Sequence, residues 1–402
     1  MSSSTSRRRR CSGEHQSFLY SRRYTLRPRY RPGWVPSWRQ DSTIRLLDAE
    51  DRLSFWSHLM DARRLTDGML ELIKKVRTDS RELQIATFLS SATLRRDPRD
   101  HCVPILEVLR DPEDPAISLL VMPFLRYVDD PAFDCVGIIL DCVEQLLEGL
   151  VFLHEHNVAH RDCAYKNIMV DPTSMYPLGF HPIANRCLPD GNNFAEVIPR
   201  SVVSVTYYYI DFGISSMFAS DDARFLVTGM SGLDRDVPEL SDDVPYDPFK
   251  VDIFILGNFF RETFTDKFSN VGMLTPLVRR MLTTDPNGRP SAAEALAHFR
   301  VVRRNARTVH RIWRLWSRNE ALVIRPIVDM WWVVSSGRGY RSRCALLTPS
   351  WPSTTGLSPA RPCLGLDITG IRDRTRIGFR FLAICAQYAP LISVFYFRDD
   401  VP

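Results

Sequence analysis

The side chains best suited to chemistry lie in His160-Arg161-Asp162-Cys163-Ala164-Tyr165-Lys166-Asn167. A carboxylate, Asp162, and a carboxamide, Asn167, stand five residues apart and fit the pattern H-R-D-x-x-x-x-N. A second carboxylate, in Asp211-Phe212-Gly213, follows a strand-like run over 202–210. Carboxylate and amide oxygens can accept a proton donor or a hard cation. Two motifs in this order and context are a stronger signal than either alone. Lysine adds a third kind of group. The chain has five Lys against 47 Arg, so each Lys departs from its default cation. Lys74 or Lys75 ends an apolar run, and Lys166 lies inside the first motif. A compact ammonium meets a phosphate as a point charge, whereas Arg presents a broad fork.

The elements around these groups can be read from periodicity. Residues 70–74 alternate as a strand, and Asp67-Gly68 before them suits a hairpin turn. Residues 81–89 suit a short buried helix, and Leu119-Leu120-Val121-Met122 a buried strand running into Pro123. From Val136 to Leu153, apolar residues at 136, 139, 140, 143, 146, 147, 150, 151 and 153 predict a helix buried along one face. It ends just before His160. Residues 168–170 form a short strand, and 171–201 read as an insertion within a hairpin, which a surface loop can accommodate without moving the strands. Residues 251–264 and 274–300 give two further helical regions, with a start signal at Ser291 and Glu294.

Charge divides the chain. The net charge is +5, but residues 1–40 carry +9 and residues 300–402 carry +11, leaving −15 for the body between them. An acidic body argues against specific nucleic-acid binding. Residues 1–40, rich in Ser, Arg and Pro, read as a disordered basic arm. Nine scattered Cys with no C-x-x-C pair suit reduced thiols in an intracellular protein, cytoplasmic or nuclear, and Cys163 suits a small buried filler. No apolar leader opens the chain.

With these pieces in order, the chain resembles the eukaryotic protein kinase superfamily, and more narrowly the kinase-domain proteins of mushroom-forming fungi. The similarity rests on His154-Glu155-His156-Asn157-Val158-Ala159-His160-Arg161-Asp162, on Asp211-Phe212-Gly213 and on the stretch from Val237-Pro238-Glu239 to Asp252-Ile253, and it covers residues 44–317. The resemblance implies an α+β, two-lobed fold: a small antiparallel-sheet lobe over 41–126 and a mainly helical lobe over 127–317. It implies ATP and Mg²⁺ as cofactors and a protein as substrate. Asp162 would be the catalytic base, and Asn167 and Asp211 the Mg²⁺ ligands. Lys74 would contact the phosphates and Glu82 would pair with it. Lys75 is the alternative, because a one-residue slip of register turns the side chain to the other face. Met122 would stand at the gatekeeper position, and backbone near Pro123 and Leu125 would meet the adenine. Lys166, four after the base, is similar to the Arg of tyrosine-kinase loops and would be a cofactor-binding residue. Glu239 would pair with Arg289, and Asp252 would hold the loop backbone. Arg161 resembles the arginine of kinases whose activation segment is ordered by phosphorylation, with Thr228 and Ser231 as candidate sites.

Two departures qualify the resemblance. No G-x-G-x-x-G precedes Lys74; the equivalent stretch, Met60 to Gly68, offers one glycine. Position 164 is Ala where serine/threonine kinases have Lys. A pseudokinase, a binding module of kinase shape without phosphotransfer, is therefore the alternative reading. Beyond the body, residues 318–402 read as an irregular Arg-rich tail. Trp313, Trp316, Trp331 and Trp332 could pack on the body or contact a partner. The apolar run from Phe381 to Phe397 reads as a buried segment rather than a membrane span, being short and broken by Gln387 and Pro390.

Overall fold

The computed structural model describes residues 15–40, 58–219 and 226–333, apart from positions 32, 36 and 192. The fold is α+β, an antiparallel sheet joined to a helical body. The sheet takes the order β1-β2-β3-β5-β4, with β1 Tyr24–Leu26, β2 Leu59–Arg64, β3 Leu70–Arg77, β4 Glu107–Arg110 and β5 Ile117–Pro123. Strands β2 and β3 are joined through Asp67-Gly68, where Gly68 takes φ +73°, a left-handed turn position that glycine adopts without strain. Strand alternation divides the sheet into two faces. Met60, Ala62, Ile73, Leu119 and Val121 form a small core on the outer face. Val76, Leu120 and Met122 face the large core, with Leu70 and Leu72 packed beside them.

The N-terminal expectation is corrected here. Residues 15–31 are not a disordered arm: 15–21 are helical, and Tyr24–Leu26 adds a strand to the sheet. Tyr24 pairs with Arg64 and Leu26 with Ala62, and Leu19, Tyr24 and Leu26 are buried in the outer core. His15 Nε2 reaches Asp111 Oδ2 at 2.8 Å in a buried contact. The physical reason is local: a few apolar residues among many arginines suffice to cover a sheet face, and average composition conceals them.

Helix α1, Arg81–Leu89, is capped by Ser80, whose Oγ accepts the Leu83 N–H at 3.2 Å. It buries Ile85, Ala86 and Leu89 and carries Glu82 in its first turn. Strand β6, Arg126–Tyr127, leads to helix α2, Val136–Glu155, the axis of the body. All nine of the positions expected to face the core are buried. Strand β7, Val158–Ala159, then delivers the chain to His160.

Strands β8, Ile168–Val170, and β9, Tyr207–Tyr209, pair antiparallel, bracketing the insertion. The second strand is shorter than its apolar run, because residues 201–206 turn and Gln145 takes over the Val205 carbonyl (3.1 Å) and the Tyr207 N–H (3.0 Å). The insertion is anchored: the Arg126 guanidinium lies against the rings of both Tyr176 (4.6 Å) and Phe180 (4.8 Å) and donates to the Asn185 carbonyl at 2.7 Å.

Strand β10, Ser216–Met217, pairs with β7. Helix α3, Pro248–Phe260, runs on into a π-helical turn, Arg261–Thr265. Helix α4, Thr275–Met281, and helix α5, Ala292–Asn305, follow, the latter opened by the Ser291–Glu294 capping box. Helix α6 is Thr308–Ile312. The tail beyond 317 is not irregular as far as 333: Arg314 binds Glu320 at 2.8 Å and Asp329 at 2.5 Å, and residues 325–333 are helical. The rest of the expected tail, including Phe381 to Phe397, lies outside the described residues. Among the described residues, no helix is long and apolar enough to cross a membrane.

Candidate active site

Register decides which lysine enters the site. Lys74 stands opposite Leu120 on β5 and Leu59 on β2, and so shares a sheet face with Leu72, Val76 and Met122. Lys75 falls on the opposite face, opposite Leu119. The Lys74 ammonium meets Glu82 Oε1 at 2.5 Å and Asp211 Oδ1 at 2.9 Å. Burial alone would lower its pKa, but Asp211 and Glu82 outweigh that and raise it above the ordinary 10.5.

The loop 160–167 is held from below by Asp252 of α3, whose carboxylate is fully buried. Asp252 accepts the backbone N–H groups of His160 (2.8 Å) and Arg161 (2.6 Å). His160 Nδ1 accepts the Asp162 N–H at 3.2 Å, so Nε2 carries the proton and donates to the Ile210 carbonyl at 3.0 Å. Burial depresses the His160 pKa and favours this neutral form. Cys163 is wholly buried, and burial pushes its thiol pKa far up, the reverse of what a nucleophile needs.

Asp162 projects from this frame. Its Oδ2 accepts from Asn167 Nδ2 at 2.8 Å, and its Oδ1 from the Leu233 N–H at 2.7 Å. With its nitrogen committed to Asp162, Asn167 offers its oxygen in the other direction. Asp211 has φ +62°, an uncommon backbone state for a residue with a side chain. Gly213 leaves room for this carboxylate: a Cβ there would crowd Asp211 Oδ1 at 3.1 Å. Burial works against the Asp211 charge, but the Lys74 ammonium outweighs it and holds the carboxyl below its ordinary 3.8. Lowered acid and raised base keep the Lys74–Asp211 pair charged from below pH 3.8 to above 10.5.

Among the described residues, no group of three or more His, Cys, Asp and Glu side chains could hold a metal. The pair Asn167 and Asp211 instead offers one amide oxygen and one carboxylate, the latter 47% exposed. That set fits Mg²⁺, which keeps several waters and binds through one or two protein oxygens plus substrate phosphates.

The remaining expected residues are placed as follows. Met122 is buried opposite Leu72, on the Lys74 face. Leu125 packs against the large core just beyond β5. Lys166 is exposed and lines a groove of about 430 Å³ with Ala164, Leu233, Asp234, Phe259 and Glu262. Glu239 and Arg289 form a bidentate pair at 2.5 and 2.8 Å, with the arginine side chain fully buried.

One sequence assignment moves. Met60 to Gly68 is not a loop reaching over the Lys74 ammonium. It forms β2 and its turn, and that turn lies at the end remote from Lys74, since Arg63 pairs with Leu70 whereas Leu59 pairs with Lys74. The chain entering at the Lys74 end joins β1 to β2, residues 27–58, of which 41–57 are outside the described residues. Sequence reading also missed Asp61, which alternation places on the Lys74 face opposite Leu72. Arg27 grips it at 2.5 and 2.7 Å. An acid alternating with apolar residues in 59–62 was the available signal. No protein-family model matches the chain.

Proposed function

We propose that this protein is a two-lobed, Mg²⁺-dependent protein kinase, transferring the γ-phosphoryl group of ATP to a hydroxyl of a protein. The observation that carries this reading is the convergence of four separate segments. Lys74 from β3, Glu82 from α1 and Asp211 after β9 form one linked set, and the Asp162–Asn167 pair comes from the loop after β7.

In this reading Asp162 takes the proton of the attacking hydroxyl. A carboxylate has about four lone-pair sites, so its two bonds to Asn167 and Leu233 leave capacity for a third. Two of the three Lys74 donors are engaged by Glu82 and Asp211, which fixes the ammonium for a phosphate oxygen. Bound Mg²⁺, held by Asn167 and Asp211, would neutralise charge on the transferred group. The groove beside Ala164 and Leu233 supports an extended polypeptide as the acceptor.

A second reading, a pseudokinase that binds partners without phosphotransfer, is favoured by the Arg27–Asp61 pair on the Lys74 face and by the lack of a glycine-rich motif. Melting of the full chain with ATP, with and without Mg²⁺, separates the two, because a ligand that binds only the folded state raises Tm by mass action. A Mg²⁺-dependent rise is expected in wild type and in Asp162→Asn. The variant should lose about 10²- to 10⁴-fold in phosphotransfer, the range for a general base. No rise at millimolar ATP would move the assignment to the pseudokinase.

A further inference from the structure

Arg161 sits next to Asp162 with φ +68°, a strained left-handed state. Both terminal nitrogens of its guanidinium are engaged on the segment that follows Gly213. Nη1 donates to the Ile214 carbonyl (3.2 Å) and to Ser216 Oγ (3.5 Å). Nη2 donates to the Thr228 carbonyl (3.1 Å) and to Tyr246 Oη (3.0 Å). All four Nη–H groups are thus matched by neutral oxygens. Arg161 resembled an arginine that waits for a phosphate; here it already has partners, and a phosphate would have to displace them.

Tyr246 is the residue that closes this arrangement. It is 5% exposed. Its hydroxyl accepts from Arg161 and donates to the Gly229 carbonyl at 2.5 Å. Its backbone exchanges two hydrogen bonds with Val227, at 3.0 and 2.9 Å. The Gly229 N–H then donates to the Ser241 carbonyl at 2.7 Å, and the Met230 N–H to Asp242 Oδ1 at 3.1 Å. Three residues on, the Leu233 N–H reaches Asp162 Oδ1. Gly232 makes this approach possible: it has φ +130°, and a Cβ there would lie 3.3 Å from the same oxygen.

We propose that Tyr246 is a positioning residue that holds residues 227–233 against Asp162 through Arg161 and the Gly229 carbonyl, without a phosphate on Thr228 or Ser231. A hydrogen bond to a charged donor is among the stronger neutral-partner contacts, and a buried one excludes competing water. The catalytic consequence rests on the kinase reading; the ordering of the segment does not.

The test is limited trypsin digestion of the full chain, reading cleavage after the exposed Arg235. Phosphatase-treated wild type and the double variant Thr228→Ala/Ser231→Ala should be cut as slowly as untreated protein. Tyr246→Phe, which keeps the ring and loses the hydroxyl, should be cut about 10-fold faster, the effect of one such bond. If Tyr246→Phe lowers the melting temperature of the whole protein, Arg161→Gln decides the same question with the Tyr246 ring in place. Faster cleavage after phosphatase treatment alone would overturn the proposal, as would unchanged cleavage in both variants. A second arm follows phosphotransfer: Tyr246→Phe should lower kcat about 10-fold at unchanged KM for ATP, and unchanged kcat in an active wild type would also overturn it. If wild type transfers no phosphate, the kinase reading fails, and the digestion still decides the role of Tyr246.

Discussion

Lys74 and Lys75 are neighbours in sequence and stand on opposite faces of β3, so substitutions should separate them. Lys74→Met removes the cation that joins Glu82 to Asp211. In the proposed kinase it should cost about 100-fold or more in phosphotransfer, the scale of losing one fixed charge-stabilising donor. Lys75→Met should leave transfer unchanged. Glu71, buried on the outer face, makes a different prediction. Burial is the main cause that pushes its carboxyl from 4.5 up to about 7, although Arg64 lies 3.3 Å away. The folded state therefore holds a proton that the unfolded chain has released between these pH values. Stability should fall as pH rises from about 4.5 to 7 through this group. Glu71→Gln should flatten that slope and raise Tm above pH 7; an unchanged Tm–pH profile would show that the carboxyl is not buried as described.

At the scale of elements, the 226–247 segment is tied to the body near its middle by Glu239 and Arg289. The arginine side chain is fully buried and its partner carboxylate 13% exposed, so removing the cation strands a charge. Arg289→Met should cost about 3–5 kcal/mol, as breaking one side of a buried pair does. Glu239→Gln with Arg289→Met should recover part of that loss, because no buried carboxylate remains. Denaturant unfolding of both variants measures the difference, and equal losses would mean that the carboxylate contributes nothing once its partner is gone. Helix α2 is a different case. Its apolar spacing located the buried face, but Ile138, Cys142, Gly149 and Phe152 are buried too, so its last turns are enclosed all round, as an axial helix of the body must be.

At the scale of the molecule, the outer sheet face needs the N-terminal segment. Leu19, Tyr24 and Leu26 cover Met60, Ala62 and Ile73. A protein starting at residue 41 loses β1 and exposes this core, and should unfold at lower denaturant or precipitate. One starting at residue 15 should melt like the full chain. Equal melting of the two truncated proteins would show that residues 15–40 contribute no stability. The same segment supplies Arg27 to Asp61 on the site face, so under the proposed kinase function the shorter protein should also change its response to ATP.

The sequence by itself determined the elements with strong local signals: the strand beginning at Leu70, which runs on to Arg77, the helix over 81–89, the long helix beginning at Val136 and the Ser291–Glu294 start. It also brought out Asp162, Asn167 and Asp211, because side-chain type and short spacing survive in one dimension. Tertiary structure alone decided the rest. Strand register chose Lys74 over Lys75, since alternation is known from sequence but its phase against a partner strand is not. Packing turned an arginine-rich N-terminal segment into a sheet strand, since three well-placed apolar side chains outweigh average composition. Long-range contact gave Arg161 its partner, Tyr246, 85 positions away, because a hydrogen bond across that separation leaves no pattern along the chain.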